Sequence, residues 1–328
     1  RAERRGARPV RAAVVAPGVH AAVTGWIDTT LAAAGRTRVD RVEQIRAWGI
    51  SAVLRTRADD GHAYWFKAVC EHFRTEVPIT VALDASAPGR VPRVVGSDAR
   101  AGWLLLGDVA GDASTPAVTD RPKSHASAFA ALRTLQRAAE PHLRDLRAAG
   151  VAARPLTGLA DQLAEALADP ELQRWHGASP ALVDQVVAWV AGQVERVAGL
   201  GLPDVLVHGD FHPGNVAEVD GGRRIVFDWS DAAVAPPFID VATWSSWLDD
   251  EPGHEQVWRS FATQWSDVAA EDEWLAWRPV LDGLAGAYHT VSYAGIVRNL
   301  DPLRRPEHGD GVRQFFAMLD RAVPRATS

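Results

Sequence analysis

The sequence predicts an α+β protein with a β-rich N-terminal lobe over residues 1–110 and a mostly helical C-terminal lobe over residues 111–328. From Trp48 onward the first lobe shows short apolar segments separated by turn residues, the pattern of an antiparallel sheet. In the second lobe apolar residues recur every three or four positions, the spacing of amphipathic helices. Two short apolar segments within residues 205–231 interrupt these helices, and each ends in polar residues.

Composition narrows the class of protein. The chain has 328 residues, of which 47% are hydrophobic, so one large domain or two modest ones can form a proper core. The net charge of −6 provides no basic surface for nucleic acid, and no apolar segment approaches the ~20 residues of a membrane span. The single Cys70 excludes a disulfide framework and fits a reducing compartment. We therefore expect a cytoplasmic protein with neither nucleic-acid nor membrane partners, whose oligomeric state the sequence does not indicate.

The N-terminal lobe is expected to begin with a helix from Val19 to Ala34, which Gly35 ends. Strands and turns should follow. From Trp48 to Val69 the expected order is a strand, a turn at Gly49, a strand up to Arg55, a turn at Asp59–Gly61 and a strand from Ala63 to Val69. Strands from Val91 to Val95 and from Trp103 to Leu106 follow, with a turn at Gly96–Asp98 between them. Since side chains alternate along a strand, Trp65 and Lys67 should share one face.

In the C-terminal lobe, four segments have helical spacing. They are Ser124 to Arg137, Leu156 to Leu167, Ala181 to Val197 and Gly311 to Val323. The last third is rich in tryptophan and acidic residues, which could hold an ammonium group in an acceptor pocket. Any individual one of these residues is better explained as core, for the tryptophans, or as solvated surface, for the acids.

The block from Val205 to Asp231 carries the chemistry. The apolar strand Val205–Val207 leads into a loop with His208, Asp210, His212 and Asn215, in which Pro213 and Gly214 prevent a helix. A second apolar strand, Arg224 to Phe227, ends in Asp228, and Gly221 with Gly222 reads as a hairpin turn between the strands. Two neighbouring strands would then present Asp210, Asn215 and Asp228 at one edge.

Such an edge suits phosphoryl transfer. A carboxylate can orient an acceptor hydroxyl and take its proton, and Mg²⁺ prefers hard oxygen ligands such as an Asp carboxylate and an Asn carbonyl. Asp210 and Asn215 stand five residues apart, which is the spacing of the kinase catalytic loop. Asp228 follows the next predicted strand, where kinases carry their metal-binding aspartate.

Two segments closely resemble the aminoglycoside phosphotransferase family, which includes choline kinases. They are His-Gly-Asp-Phe-His-Pro-Gly-Asn, from His208 to Asn215, and Val-Phe-Asp-Trp, from Val226 to Trp229. This resemblance implies a bilobal protein-kinase-like fold and the cofactors ATP, with GTP not excluded, and Mg²⁺. It implies transfer of the γ-phosphoryl group to a hydroxyl of a small molecule. That acceptor could be cationic, such as an aminoglycoside-like antibiotic, an amino sugar or an amino alcohol.

The resemblance also implies roles for residues. Asp210 would be the catalytic base, and Asn215 with Asp228 would bind the metal. Lys67 would hold the α- and β-phosphates with an acidic partner, for which Glu76 is favoured and Glu71 remains open.

Further contacts to the nucleotide are expected from the strand ends. Gly49 and Ser51 would approach the phosphates, and the segment from Leu106 to Val109 would be the hinge whose backbone reads adenine.

Four residues near the loop are supporting candidates. His208, His212 and Asp231 could brace the loop or touch the metal or acceptor. Asp240, at a predicted helix start, could cap that helix and brace the catalytic loop backbone.

Two other functions would use parts of the same sequence pattern. A metal-dependent phosphoesterase also uses Gly-Asp, His and Gly-Asn elements, but needs a further cluster of His and Asp ligands, and the remaining histidines are scattered singly. A nucleotide-binding pseudokinase or regulatory module would lack one of the essential groups, whereas Lys67, Asp210, Asn215 and Asp228 are all present.

Overall fold

The computed structural model describes residues 19–109, 122–219, 222–248 and 251–324. A five-stranded antiparallel sheet forms the N-terminal region, with strand order β1-β2-β3-β5-β4. Its strands are β1 Glu43–Ala47, β2 Ser51–Arg57, β3 Ala63–Val69, β4 Val94–Asp98 and β5 Trp103–Gly107. Helix α1 (Val19–Ala33) precedes the sheet and helix α2 (Glu76–Ser86) lies between β3 and β4. The predicted lobe boundary at 110/111 falls outside the described residues.

Helix α1 covers one face of this sheet. Its buried residues Val23, Ile27 and Leu31 follow at four-residue spacing and so form a single apolar stripe. They pack in one cluster with residues of β2, β3 and β5. Trp26 completes it, because its ring lies edge-on to Phe66 at 5.7 Å between centroids. The opposite face, with Trp65 and Lys67, therefore remains for the site.

The C-terminal region is mostly helical, as predicted. Its helices are α3 Pro122–Ala139, α4 Leu143–Ala148, α5 Leu159–Leu167, α6 Pro170–His176, α7 Pro180–Ala198, α8 Phe238–Ser245, α9 Glu251–Gln264, α10 Glu271–Asn299 and α11 Pro306–Ala322. The long α10 contacts α5, α7, α8, α9 and α11, so it forms the centre of this region. No helix in the described ranges is long and apolar enough to cross a membrane.

The tryptophans of the last third form core, as the sequence favoured. Trp244, Trp258, Trp265 and Trp274 are at most 2% exposed and belong to the main hydrophobic cluster. Trp247 differs, since 57% of it is exposed. The neighbouring acids at 249 and 250 lie outside the described residues.

The predicted pairing of the two short strands beside the catalytic loop was wrong. Strand β6 (Val205–Val207) pairs with β9 (Ala233–Ala235), and the segment before Asp228 forms β8 (Arg223–Val226), which pairs with β7 (Val216–Val219). Strand β7 was missed because Glu218 interrupts its short apolar pattern. The hairpin turn predicted at Gly221 and Gly222 falls between β7 and β8, where residues 220 and 221 lie outside the described residues.

Three other element boundaries also needed correction. The predicted turn at Gly96–Asp98 is part of β4, because Gly96 and Ser97 pair with Leu105 and Leu104. The chain reverses later, where Asp98 Oδ1 accepts a hydrogen bond from the Ala101 N–H at 2.8 Å. A strand was predicted before the Gly49 turn without bounds. It is β1, which is exposed at all five positions and so has no alternating apolar pattern to mark its ends. The last helix begins at Pro306 rather than at residue 311.

Candidate active site

The loop after β6 is fixed by Asp240, a completely buried residue in the first turn of α8. Its two carboxylate oxygens accept hydrogen bonds from the backbone N–H groups of His208 (3.1 Å) and Gly209 (2.9 Å). Gly209 has φ +79°, and a Cβ there would lie 2.2 Å from the Asp231 carbonyl oxygen, so only glycine fits. The loop thus turns sharply between α8 and the segment after β8.

Burial raises the pKa of Asp240 to about 7, although the two backbone N–H groups favour the charged form. Gln136 Nε2 approaches Asp240 Oδ2 at 3.4 Å, while Gln136 Oε1 is buried and makes no hydrogen bond within the described structure. The amide orientation is an assignment, and the reverse orientation would let a protonated Asp240 donate to this oxygen.

His208 ties the loop to the end of β8. Its Nδ1 accepts a hydrogen bond from the Asp210 N–H at 3.3 Å, and its Nε2 lies 3.0 Å from the Phe227 carbonyl oxygen. Since a carbonyl oxygen only accepts, the ring proton belongs on Nε2. Burial lowers the pKa of His208, which keeps the ring neutral and suited to this double role.

Asp210 and Asn215 are brought together by the 3₁₀ turn at Pro213–Asn215. Asn215 Nδ2 donates to the Asp210 carbonyl oxygen at 2.9 Å and to its Oδ2 at 3.2 Å. The amide nitrogen is thereby occupied, so Oδ1 is the part of the Asn215 side chain suited to ligate a cation. Burial raises the pKa of Asp210, but His212 and His208 outweigh this effect and hold it below its ordinary value.

His212 lies beside Asp210 and under an exposed tryptophan. Its Nδ1 accepts from the Gly214 N–H at 3.0 Å, which leaves the ring proton on Nε2, 3.5 Å from Asp210 Oδ2. The imidazole stacks on Trp247, with centroids 4.2 Å apart and planes 13° from parallel. Trp247 therefore forms an exposed aromatic surface next to Asp210.

Asp228 occupies an unusual backbone conformation after β8. It has φ +66° and ψ +64°, and it is the one non-glycine residue with positive φ in the described chain. Aspartate tolerates this left-handed region better than bulky or branched residues do. The conformation turns the carboxylate toward β3, where it meets Lys67.

The buried residues Lys67, Glu76 and Ser230 form one network with Asp228, which is partly exposed. Lys67 Nζ lies 2.7 Å from Glu76 Oε1, 2.7 Å from Asp228 Oδ1 and 3.1 Å from Ser230 Oγ, so all three ammonium protons have acceptors. Ser230 Oγ also lies 2.9 Å from Glu76 Oε2 and 2.6 Å from Asp228 Oδ1, and can donate its proton to either.

The charges of this network stabilise one another. Burial lowers the pKa of Lys67, but Asp228 and then Glu76 outweigh it and raise the pKa above its ordinary value. Burial raises the pKa of Asp228, and Lys67 more than reverses this, so the net shift is downward. Burial raises the pKa of Glu76, which Lys67 offsets only in part. Lys67 thus lies between two acids and contacts Glu76, whereas the exposed Glu71 lies 3.9 Å from Arg74 and makes no contact with Lys67 within the described residues.

Asp231 lies close enough to this network to be affected by its charges. Burial, followed by the charges of Asp210 and Asp228, raises its pKa to about 8. A carboxyl group with such a pKa is largely protonated at neutral pH and can donate a hydrogen bond.

The remaining predicted residues lie along the free face of the sheet. Trp65 pairs with Leu106, Lys67 pairs with Leu104 and Ser51 pairs with Val69, so Ser51, Lys67 and Leu106 share that face. At the predicted hinge, the Gly107 N–H already donates to the Arg93 carbonyl oxygen at 2.9 Å. The Gly107 N–H is therefore not available to a nucleotide there.

Gly49 does not point an open N–H toward the site. The N–H donates to Glu307 Oε2 at 3.1 Å, and a Cβ at Gly49 would lie 3.1 Å from Arg304 Cβ. The turn between β1 and β2 is therefore packed on the start of α11.

The oxygen atoms of Asp228 and Asn215 could bind one magnesium ion together with the phosphates of a nucleotide. No group of three or more His, Cys, Asp or Glu side chains among the described residues could hold a metal. Mg²⁺ usually binds through one or two carboxylates together with phosphates and water. Asp228, whose side chain is 44% exposed, and Oδ1 of Asn215 fit that requirement.

Sequence reasoning missed several residues of this site. Ser230 joins the Lys67 network, Gln136 reaches Asp240 from α3, and Trp247 contributes through its stacking on His212. A signal existed only for Ser230, which lies two residues after Asp228.

Comparisons with known proteins agree with this geometry. Residues 41–280 match the model of the phosphotransferase enzyme family, so the chain belongs to that family and is a small-molecule kinase. No curated protein sequence matches it.

Several solved structures have the same fold. A choline/ethanolamine kinase family protein from Mesorhizobium loti is 19% identical, with a TM-score of 0.60 over 92% of this chain and 98% of that one. A macrolide 2′-phosphotransferase from Brachybacterium faecium is 17% identical, with a TM-score of 0.56 over 88% of this chain and 97% of that one. An aminoglycoside 2′-phosphotransferase in complex with GDP is 13% identical, with a TM-score of 0.60 over 92% of this chain and 97% of that one. At these identities the likeness establishes the kinase-like fold predicted from the sequence, not the substrate.

Proposed function

We propose that this protein transfers the γ-phosphoryl group of Mg·ATP to a hydroxyl of a small molecule. The observation that carries the proposal is the juxtaposition of two groups of residues. Lys67, Glu76 and Asp228 form a charged network, and Asp210 with Asn215 lies in the loop just before it. A phosphate clamp, metal ligands and a carboxylate for the acceptor are the parts that phosphoryl transfer requires.

In the proposed reaction Asp210 accepts a hydrogen bond from the acceptor hydroxyl and takes its proton as the new bond to phosphorus forms. The bond from the γ-phosphorus to the bridging oxygen breaks, and ADP leaves with that oxygen. The lowered pKa of Asp210 keeps it ionised but makes it a weak base, so orientation of the hydroxyl is its main contribution. Lys67, held by Glu76, binds the phosphates, and bound Mg²⁺ would neutralise charge on their oxygens.

The acceptor is proposed to carry an amino group, as in an amino sugar, an amino alcohol or an aminoglycoside-like antibiotic. Asp231 beside Asp210 supports an ammonium, since a cation bound there would stabilise the ionised carboxylate. Trp247 supports it as well, because its exposed ring can lie against a cation or a sugar. ATP is proposed with GTP as the alternative, and the cytoplasmic location stays a prediction.

A nucleotide-binding assay followed by an acceptor screen tests the proposal. The protein should be stabilised against heat by a non-hydrolysable ATP or GTP analogue with Mg²⁺, by roughly 2.7 kcal/mol at a hundredfold excess over Kd. A panel of hydroxylated amines and sugars is then screened by ADP release. The absence of a thermal shift with either nucleotide would refute the proposed chemistry.

A further inference from the structure

A cavity of about 230 Å³ opens next to the proposed phosphate site. Ser230 and Asp231 form one wall, so a molecule inside would lie beside the Lys67 network, and the charge of Asp210 acts on Asp231. The other walls are formed by residues that were not predicted as site residues. They include His72, Thr75, Arg154 and Ser292.

Arg154 is held firmly in this cavity. Its backbone N–H donates to the Val234 carbonyl oxygen at 2.8 Å, which fixes the residue against β9. Its Nη1 donates to Ser292 Oγ at 2.7 Å, and its guanidinium lies 5.6 Å from the centroid of the Tyr288 ring. The guanidinium is therefore positioned by neutral groups on α10.

Arg154 differs from other buried arginines in lacking an acidic partner. Arg133, Arg224 and Arg305 each form an ion pair with a carboxylate. None of the acidic groups in the described residues lies within 4.0 Å of the half-buried Arg154 guanidinium. A half-buried cation without a counter-ion is costly, and a bound anion would remove that cost.

The charges around the cavity favour an anion beside Arg154. Burial and then Arg154 lower the pKa of His72, so that ring is neutral at physiological pH. Asp231, with a pKa of about 8, is largely protonated there. Arg154 is then the one fixed charge among the titratable groups that line the cavity.

We propose, on the basis of the phosphotransferase function above, that the acceptor is a small hydroxy acid whose carboxylate is bound by Arg154. A guanidinium matches a carboxylate with two parallel hydrogen bonds, and Arg154 has further N–H groups besides the one given to Ser292. Thr75 and Ser292 can add hydroxyl contacts. The volume is below the ~300–1,000 Å³ of pockets for drug-sized ligands, so this subsite fits a small acid rather than a large antibiotic.

Matched pairs of compounds test this proposal directly. L-serine is compared with ethanolamine, L-homoserine with 3-aminopropan-1-ol, and D-glycerate with ethylene glycol. Each pair differs only by the carboxylate. Binding is measured by thermal shift and calorimetry, on the protein alone and on the protein loaded with Mg²⁺ and a non-hydrolysable ATP analogue.

In the wild type at least one acid should bind more tightly than its partner compound. Arg154→Gln, which keeps a donor for Ser292, should weaken that acid about 10–100-fold and leave the carboxylate-free partner unchanged. Arg154→Lys should restore part of the loss, since the charge returns without the fork. Arg147→Gln is the matched control because Arg147 is exposed and does not line the cavity.

Two results would overturn the proposal: no acid binds better than its partner compound in the wild type, or the preference survives in Arg154→Gln. If Arg154→Gln does not fold, the wild-type comparison and Arg154→Lys still decide. If the nucleotide analogue stabilises the protein against heat but no acid binds better than its partner compound, the hydroxy acid is rejected as acceptor and the proposed phosphotransfer is not. The absence of a nucleotide shift rejects the proposed function, and the titrations on the protein alone then test Arg154 separately.

Discussion

Replacing Asp240 with asparagine tests how the catalytic loop is held. In the wild type the two carboxylate oxygens each accept one backbone N–H, from His208 and from Gly209. Asparagine has nearly the same shape but only one accepting oxygen, so its NH₂ group must face one of these N–H donors. Because Asp240 is completely buried, water cannot replace the lost acceptor.

The expected cost follows from these contacts. One buried N–H left without an acceptor destabilises a protein by about 1–3 kcal/mol. The pH dependence has a definite sign, because the pKa of Asp240 is raised in the folded protein to about 7. Between the unfolded pKa of ~3.9 and that value, the folded state binds the extra proton. The wild type therefore loses stability as pH rises through this window, by roughly 1.4 kcal/mol per pH unit at most.

Asparagine does not titrate, so the variant lacks this loss. At pH 5 we expect the free energy of unfolding of Asp240→Asn to be about 1–3 kcal/mol below that of the wild type. At pH 8 this difference in the free energy of unfolding, the stability gap, should be smaller by more than ~1 kcal/mol. Urea unfolding at both pH values measures it, and Asp161→Asn, at an exposed position in α5, is the control. A gap that widens with pH would show that the ionised carboxylate stabilises the fold, and would refute the raised pKa.

The other predictions concern the proposed chemistry. Asp210→Asn should retain nucleotide binding while turnover falls by roughly 10²–10⁴; unchanged turnover in a confirmed phosphorylation assay would place the base elsewhere. Lys67→Arg should weaken nucleotide binding or slow transfer, because a planar guanidinium replaces a compact ammonium that has acceptors within 3.1 Å on three sides. It should also cost about 1–3 kcal/mol through overpacking, and wild-type behaviour in both assays would contradict the phosphate role. Glu76→Gln should weaken nucleotide binding in a calorimetric titration, whereas Glu71→Gln should not; equal effects would remove the case for Glu76.

The parts of the site that the sequence predicted depend on short-range geometry. Asp210 and Asn215 lie in one loop, and their five-residue spacing is enough to bring them into contact. Lys67 was placed on the correct sheet face by strand alternation, which involves only neighbouring residues. The helices with clear apolar spacing, such as α1 and α7, were predicted for the same reason.

The sequence does not reveal contacts between residues that are distant in the chain. Gly49 meets Glu307 across 258 residues, and Gln136 meets Asp240 across 104. Such contacts depend on how α10, α11 and α3 pack, and spacing in the sequence does not encode that. The pairing of β6 was predicted wrongly for the same reason, since three apolar residues do not determine which strand lies beside them.

The two acids beside Lys67 have different consequences once a nucleotide is bound. Without it, Glu76 and Asp228 approach the ammonium equally, at 2.7 Å each. In the proposed complex Asp228 would bind Mg²⁺. Lys67 would then contact phosphate oxygens and would need another acid to keep its ammonium group in place. Glu76, 2% exposed and fixed at the start of α2, is then the acid that still holds the ammonium in place. Removal of Glu76 should therefore matter more for the nucleotide complex than for the stability of the free protein, where Asp228 and Ser230 remain as partners.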